Sequence, residues 1–340
     1  MSIPLAQAMS VSSYVLKQKL SGNKRYPLVL MLEPLWRCNL ECAGCGKIQH
    51  PEEVLNTYLT PEECWEAAEE CGAPMVSIAG GEPLIHPQID RIVEGLIDRG
   101  RYVTLCTNAI LLERWLPKFQ PSKYFSFTIH LDGMRDLHDA MVDRKGVFDK
   151  AVKGIQEAKR LGFRVNTNTT VYADSSTEDM RELFNYLHAD LKTDGIVMSP
   201  GYDYPKAPNQ KVFMQRGQMI AKFQELFSLP ESKDWQFIDS PLFLDFLQGK
   251  VAMQCTAWGN PCRTVMGWQR PCYLMNEGYV STFRQLMEET EWERYGYGRD
   301  SRCSNCMAHC GYEATAVEKT IKSPVQGVRA GVASLLGGRS

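Results

Sequence analysis

The chain has 340 residues, a net charge of −2, 44% apolar and 23% charged residues, and twelve cysteines. That length suits one large domain, or one domain with a smaller appendage, and can bury a substantial core. The near-neutral charge argues against affinity built on neutralising phosphates, and no apolar run reaches the roughly 18 residues that a membrane span needs.

Residues 1–26 read as an amphipathic helix in which Ile3, Leu5, Met9, Tyr14, Val15 and Leu20 mix with Lys17, Lys19, Lys24 and Arg25. Such a helix packs on its own domain or rests on a membrane surface. The start lacks the charged and apolar regions of a secretory leader, so a cytoplasmic location and reduced cysteines are expected.

From residue 27 to 205 the text alternates. "PLVLMLEP" (27–34) is a short apolar run bounded by prolines and reads as a buried strand. "TPEECWEAAEECG" (60–72) opens a helix with Thr60 as N-cap, Pro61 at the first position and Glu63 closing a capping box. Strands follow at 74–81, 101–109, 124–133, 163–172 and 195–201, with helices at 89–100, 111–119, 147–162 and 177–191. Repeated strand–helix units with short connections predict an α/β fold with a parallel sheet. The repeats fall short of the eight of a closed barrel, so a partial (β/α)6 barrel is expected, with its site at the C-terminal edges of the strands.

After residue 205 the rhythm breaks, and 206–325 reads as a C-terminal extension. It holds a helix at 210–230, a stretch at 235–268 rich in Trp, Phe and Met that would suit either plain core or a pocket for a rigid hydrocarbon, and a cysteine cluster. Residues 326–340 read as a poorly ordered tail.

The first chemical signal is "CNLECAGCGKI" (38–48), which follows the first strand directly. Cys38, Cys42 and Cys45 lie within about 10–14 Å of chain from one to the next, close enough to hold one inorganic centre. His50 would complete a Cys3His zinc site, whereas an iron–sulfur cube held by three thiolates keeps one iron open. Gly44 and Gly46 are expected to supply tight left-handed bends. The second signal is "GGEPL" (80–84) at the end of the second strand, beside the cysteine loop in a parallel sheet. Gly80 and Gly81 allow close backbone approach to a ligand, Glu82 and free carbonyls accept from an ammonium group, and Pro83 stops the strand.

Taken together, the two motifs resemble the radical S-adenosylmethionine (SAM) superfamily over about residues 27–202. The resemblance implies a [4Fe–4S] cluster on Cys38, Cys42 and Cys45, SAM bound at the open iron, and one-electron cleavage of SAM to a 5′-deoxyadenosyl radical. It implies cofactor contacts by Gly80, Gly81, Glu82 and Pro83. Asn108, His130, Asp132, Asn168 and Met198, at the edges of later strands, are further candidates. Asp132 and Asn168 would hydrogen-bond the ribose or adenine; each is equally readable as a satisfied strand-end polar residue. One position departs from the family pattern. An aromatic residue commonly precedes the third cysteine and covers the adenine, but here Gly44 stands there.

The wording "EPLWRCNLECAGCGKIQHP", "SIAGGEPLIHPQI", "LCTNAILL" and "TIHLDGMRDLHD" resembles more closely the radical enzymes of bacterial hopanoid synthesis. That implies addition of the adenosyl radical to the exocyclic alkene of diploptene, a membrane triterpene, by a transferase that consumes SAM in forming a carbon–carbon bond. The implied partners are this triterpene, a flavodoxin- or ferredoxin-type reductant and, through residues 1–25, the inner membrane surface; nucleic acid is not expected. Radical addition to a terminal alkene leaves a tertiary carbon radical that needs a hydrogen atom. Thr104, Cys106 and Asn108 share one face of a strand, so Cys106 is the candidate catalytic donor; its other reading is a small buried hydrophobe. Two alternatives stand beside this one: a radical SAM enzyme that abstracts hydrogen from a peptide or small metabolite, and a non-catalytic metal-binding or electron-carrier protein.

The last quarter holds Cys255, Cys262, Cys272, Cys303, Cys306 and Cys310. Cys303, Cys306 and Cys310 have metal-ligand spacing, and Cys272 or Cys262 would add a fourth ligand. The expected auxiliary site is Cys272, Cys303, Cys306 and Cys310, holding a second iron–sulfur cluster, zinc or no metal. Cys64 and Cys71 share a helix face and are expected to pack in the core, while Tyr124 and His130 are candidates to line the cavity.

Overall fold

Strand alternation sets the frame of the molecule. In the computed structural model, which describes residues 4–322, the first half contains α1 (Leu5–Leu20), β1 (Val29–Glu33), α2 (Glu52–Leu55), α3 (Pro61–Cys71), β2 (Met75–Ile78), α4 (Ile89–Asp98), β3 (Tyr102–Thr107) and α5 (Leu112–Trp115). Then come β4 (Phe125–His130), α6 (Arg135–Met141), α7 (Val147–Arg160), β5 (Arg164–Val171), α8 (Thr177–Asn185) and β6 (Gly195–Pro200). The remainder comprises α9 (Arg216–Ser228), α10 (Pro241–Leu247), β7 (Cys262–Thr264), β8 (Gly267–Pro271), β9 (Asn276–Val280), α11 (Phe283–Glu289) and α12 (His309–Lys322).

One sheet runs through all of it, in the order β6-β5-β4-β3-β2-β1-β7-β8-β9. Strands β1 to β6 are parallel and neighbours in sequence are neighbours in space. This is the partial (β/α)6 barrel that the strand–helix rhythm predicts. Its outer face carries Leu30, Leu32, Val76, Ile78, Leu105, Phe127 and Val165, all fully or nearly fully buried in one core with the helices. Phe119, Phe125, Phe127 and Phe163 meet at centroid distances of 4.8–6.1 Å, mostly edge to face, and seal the bottom of that layer. The inner face carries the other register: Ser77, Thr104, Cys106, Ser126, Thr128, His130, Asn166, Asn168 and Thr170. A single slip of register would bury these polar groups against the helices, so the alternation fixes which residues can reach a ligand.

The local signals at α3 hold. Thr60 Oγ1 accepts from the Glu63 amide at 3.2 Å, Glu63 Oε2 accepts from the Thr60 amide at 2.7 Å, and the helix stops at Gly72 with φ +70°. Cys64 and Cys71 are 0% and 4% exposed, plain core as expected. Elsewhere the boundaries move. The helix expected over 111–119 is α5 followed by a 3-10 turn at Leu116–Lys118, where Pro117 removes an amide donor. That expected over 177–191 ends its α portion at Asn185 and continues as a π turn, Tyr186–Asp190. Within the expected helix 210–230, the regular helix begins only at Arg216.

The extension is not a separate body. β7 pairs in parallel with β1, matching Met31 with Cys262, and β8 and β9 add antiparallel strands beyond it. Helix α1 docks on the same side: Val11 and Val15 pack with Tyr26, Leu28 and Ala314 of α12. The boundary expected at 205/206 is therefore a change of rhythm and not a gap in packing. The tail expected at 326–340, and Ile3, lie outside the described residues.

Candidate active site

The loop after β1 and the end of β2 are one hydrogen-bonded unit. Ala79 donates to Leu32 O at 2.8 Å, Gly81 to Leu35 O at 3.0 Å, and Glu82 to Arg37 O at 2.9 Å. A Cβ on Gly80 would sit 2.3 Å from Leu35 O, and one on Gly81 would sit 2.1 Å from Arg37 O. The paired glycines are thus required by the backbone that carries Cys38, which the sequence reading had assigned to a ligand. The carbonyls of Gly80 and Gly81 accept from no group among the described residues. They remain as acceptors at the C-terminal edge of β2, where an ammonium group needs them.

The Glu82 carboxylate is 1% exposed and accepts from Thr107 Oγ1 at 2.7 Å, the Leu84 amide at 3.0 Å and the Asn108 amide at 2.8 Å. Burial pushes its pKa up against those three donors. Glu82 serves as a buried brace between β2 and β3. Pro83 starts the 3-10 turn that Glu82 caps. Asn108 extends the brace: its Nδ2 donates to Asn39 Oδ1 at 2.7 Å, tying the end of β3 to the residue after Cys38.

Cys38, Cys42 and Cys45 are partly buried and unbridged, with Cys38 and Cys42 packed among Leu40, Val142, Val147 and Ile110. Burial pushes the Cys38 thiol to about 12 and raises Cys42 and Cys45 as well. Such thiols become thiolates only when a cation compensates the charge, which is the behaviour of a metal-ligating set. His50, the expected zinc ligand, instead stacks on Trp36 with ring centroids 4.3 Å apart.

Gly44 explains the departure from the family pattern. Its backbone is not left-handed, and neither is that of Gly46, so the expected bends are corrected. A Cβ at Gly44 would lie 2.3 Å from Tyr172 Oη and 2.6 Å from Tyr172 Cε1. The tyrosine, just past β5, occupies the space that a side chain at 44 would take. It is 8% exposed, and Asp132, Cys42 and Cys45 are its charged neighbours. Sequence reading missed Tyr172, because the signal is a glycine in one element and an aromatic residue in another.

At β4, His130 Nε2 lies 2.7 Å from Asp132 Oδ2, and the Thr170 amide donates to Asp132 Oδ1 at 2.8 Å. Burial alone would lower the His130 imidazole, but the Asp132 carboxylate holds it above its ordinary value. Asp132 is 2% exposed. Both oxygens take part in locking the ends of β4 and β5. The amide of Asn168, on the inner face of β5, has no side-chain partner among the described residues and is available. Met198 is corrected too. It is 0% exposed in the outer core, because alternation turns Val197 and Ser199 inward instead. Tyr124 precedes β4, at the opposite end of the barrel from this site.

Two further residues escaped the sequence reading. Lys47 Nζ lies 2.8 Å from Glu33 Oε1 in a nearly dry pair, and 4.2 Å from the centroid of the Tyr273 ring. Trp36 Nε1 donates to Glu33 Oε2 at 2.6 Å. The pair ties the cysteine loop to the end of β1, and the contact of Lys47 with Tyr273 joins that loop to the extension.

In the extension, Cys255 joins the expected set. It packs against Gly311 and has the Cys306, Cys272, Cys310 and Cys303 thiols as neighbours. Burial pushes Cys272 to about 11 and Cys306 to about 12. Cys303 stands to one side, accepting from the Gly296 amide at 3.4 Å and lying 3.7 Å from Met275 Sδ. Cys262, on β7, faces Glu33 and Lys47 first.

Residues 33–187 match the family described as the radical SAM superfamily. The barrel has the radical SAM fold, and most of its length matches that family. Residues 196–330, which include β6 and the extension, match a domain of unknown function, DUF3463. Members of the superfamily bind a [4Fe–4S] cluster and SAM, and the three thiols, free Gly80 and Gly81 carbonyls and available Asn168 fit that pair. GTP 3′,8-cyclase of Synechocystis sp. is 23% identical over 293 residues, 81% of this chain and 89% of that protein. Fe-coproporphyrin III synthase of Methanosarcina barkeri is 26% identical over 154 residues, 44% of this chain and 38% of that protein. Among solved structures, Streptococcus suis SuiB bound to S-adenosylmethionine matches with TM-score 0.60 at 19% identity, covering 74% of this chain and 61% of that one. Native anSMEcpe with bound AdoMet and Cp18Cys peptide matches with TM-score 0.59 at 16% identity, covering 90% of this chain and 99% of that one. At these identities the structural likeness shows the radical SAM fold. No helix among the described residues is long and apolar enough to cross a membrane.

Proposed function

We propose that this radical SAM enzyme is an adenosylhopane synthase, which joins the 5′-deoxyadenosyl group of SAM to the terminal alkene of diploptene. The cluster, when bound, supplies the electron that cleaves SAM. Cys38, Cys42 and Cys45 would hold it, the Gly80 and Gly81 carbonyls would accept from the methionine ammonium, Asn168 would offer its amide, and Tyr172 would cover the adenine in place of a residue at 44.

Cys106 carries the proposal. It lies on the inner face of β3, with its sulfur 3.5 Å from Ser77 Oγ. Burial raises its pKa, so the S–H bond persists at neutral pH. When the radical adds to the alkene, the π bond breaks, a carbon–carbon bond forms at the terminal carbon and the unpaired electron moves to the tertiary carbon. Transfer of hydrogen from Cys106 closes the product and leaves a thiyl radical. One electron and one proton, from a flavodoxin- or ferredoxin-type reductant and solvent, restore the thiol. Replacing Cys106 by alanine should spare SAM cleavage and block the saturated adduct; normal adduct yield would overturn its role.

A membrane substrate needs a lipid-facing surface, and α1 offers one. Leu5, Met9, Leu16 and Leu20 are 63%, 61%, 54% and 80% exposed. Their spacing places them on one stripe of the helix, opposite the buried Val11 and Val15. We assign this stripe, with Lys17 and Lys24 nearby, to peripheral contact with an anionic bilayer. Leu16→Glu with Leu20→Glu should abolish co-sedimentation with anionic vesicles, and unchanged binding would sink the assignment.

The polar inner wall, with Ser126, Thr128 and Asn166, together with relatives named as GTP 3′,8-cyclases, favours a second reading: hydrogen abstraction from a polar metabolite or peptide. One experiment separates the two. Reconstituted protein, SAM, reductant and a total hopanoid extract are incubated anaerobically, and the lipids and nucleosides are analysed by mass spectrometry. An adenosylated lipid is expected; free 5′-deoxyadenosine without an adduct would support the second reading.

A further inference from the structure

Beyond the barrel site, one cluster of side chains stands without an assigned role: Asp239, ahead of α10, with His309 and Glu313 of α12. One ligand atom from each falls within 4.8 Å of the other two. His309 and Glu313 are four residues apart on the helix and so present side chains to the same face. Asp239 comes from the segment entering α10, and its side chain is 0% exposed.

Each member is oriented by a partner behind it. Asp239 Oδ2 accepts from the Met198 amide at 2.8 Å, which turns Oδ1 toward His309. Glu313 accepts from the Ser240 amide at 3.0 Å and from Ser240 Oγ at 3.1 Å. The His309 amide donates to Ser199 Oγ at 3.2 Å, and its ring stands edge-on to Phe243 with centroids 5.5 Å apart. Asp239 Oδ1 is the odd atom. It is buried and makes no hydrogen bond, although His309 Nε2 lies 3.3 Å away. No lysine or arginine pairs with either carboxylate among the described residues.

Two carboxylates this close, that of Asp239 fully buried and that of Glu313 half-buried, repel one another, and a neutral imidazole does not offset that. A divalent cation does, because two carboxylates cancel its charge and imidazole completes a mixed oxygen and nitrogen set. We propose that Asp239, His309 and Glu313 bind a divalent metal ion of the zinc, manganese or ferrous class, separate from any iron–sulfur centre. The ion joins α12 to the end of β6 and the start of α10, next to Cys306 and Cys310. It thereby fixes the helix that carries part of the extension's thiol set. This inference is independent of the enzyme's substrate.

The test uses cluster-loaded, chelator-washed full-length protein, titrated anaerobically with cobalt(II) and, separately, with manganese(II). Cobalt should give visible ligand-field bands without the thiolate-to-cobalt charge transfer of a cysteine site, and manganese should lose its free-ion electron paramagnetic resonance signal. Asp239→Asn and Glu313→Gln should each weaken binding by about 10-fold or more. Absence of a cobalt signal in the wild type, bands dominated by thiolate charge transfer, or affinity unchanged in both variants would overturn the site. The wild-type titration decides the matter even where a variant fails to fold.

Discussion

The thiols after β1 and those of the extension lie on two sides of a shared wall: Tyr204 has both Cys45 and Cys310 among its charged neighbours, and Lys47 acts on both Cys45 and Cys310. They are nevertheless assembled in opposite ways. Cys38, Cys42 and Cys45 sit in one loop, positioned by short-range turns and by the backbone of Gly80–Glu82. Cys255, Cys272, Cys306 and Cys310 come from three segments that meet only because β7 joins the sheet at β1 and α12 folds back. A site made by one loop is specified by spacing. A site made by three segments depends on the whole extension being in place, and the contact of Lys47 with Tyr273 ties that extension to the cysteine loop.

The largest expected effect tests whether the two regions are functionally separate. Cys38→Ala should reduce SAM cleavage to background and remove about four iron per chain. Cys306→Ala should keep SAM cleavage while lowering metal content only in the extension. Equal loss of SAM cleavage in both variants would break the distinction.

Next is the wall between them. Lys47→Met leaves the Glu33 carboxylate buried without its cation and should cost about 3–5 kcal/mol in urea unfolding. Lys47→Met with Glu33→Leu should recover most of that. If the single change costs no more than the double, the pair does not hold the cysteine loop to β1.

The first region also carries its own titration. His138 accepts from the Asp132 amide at 3.2 Å through Nδ1, while burial, followed by the His130 ring nearby, lowers its pKa to about 4 from 6.5. Between those values the unfolded chain binds a proton that the folded chain refuses, so stability falls as pH drops from 6.5 to 4 and then levels. The drop is on the order of 3 kcal/mol. His138→Phe should flatten this acid limb in unfolding curves taken across that range; an unchanged slope would place the loss elsewhere.

The smallest effect concerns Tyr172. Removing an aromatic face is worth about 0.5–1.5 kcal/mol, so Tyr172→Ala should raise the KM for SAM by about 2- to 10-fold, and Tyr172→Phe should not. An unchanged KM in the alanine variant would mean that the adenine is covered from another element.

Much of the barrel was legible because its rules are local. The capping box at Thr60 and Glu63, the stop at Gly72 and the run 27–34 each depend on neighbours within a few residues. The same holds for Cys38, Cys42 and Cys45, and for the placement of Cys106 on an inner face. The assignment of partners was not local. Glu82 and Asp132 read as ligand contacts because carboxylates at strand ends often are, and the fold adds Thr107, Asn108, Thr170 and His130 as their protein partners. Met198 was misread because its face depends on the register that β6 takes against β5.

Spacing and alternation alone therefore determined the strand–helix order, the inner and outer faces of the barrel and the three-thiol loop. Only the tertiary structure decided that Tyr172 replaces a side chain at Gly44, that Cys255 joins the distant cysteines and that Lys47 lies against Tyr273. These are contacts between elements far apart in sequence. Their formation follows from sheet order and close packing, which residue type by itself does not encode.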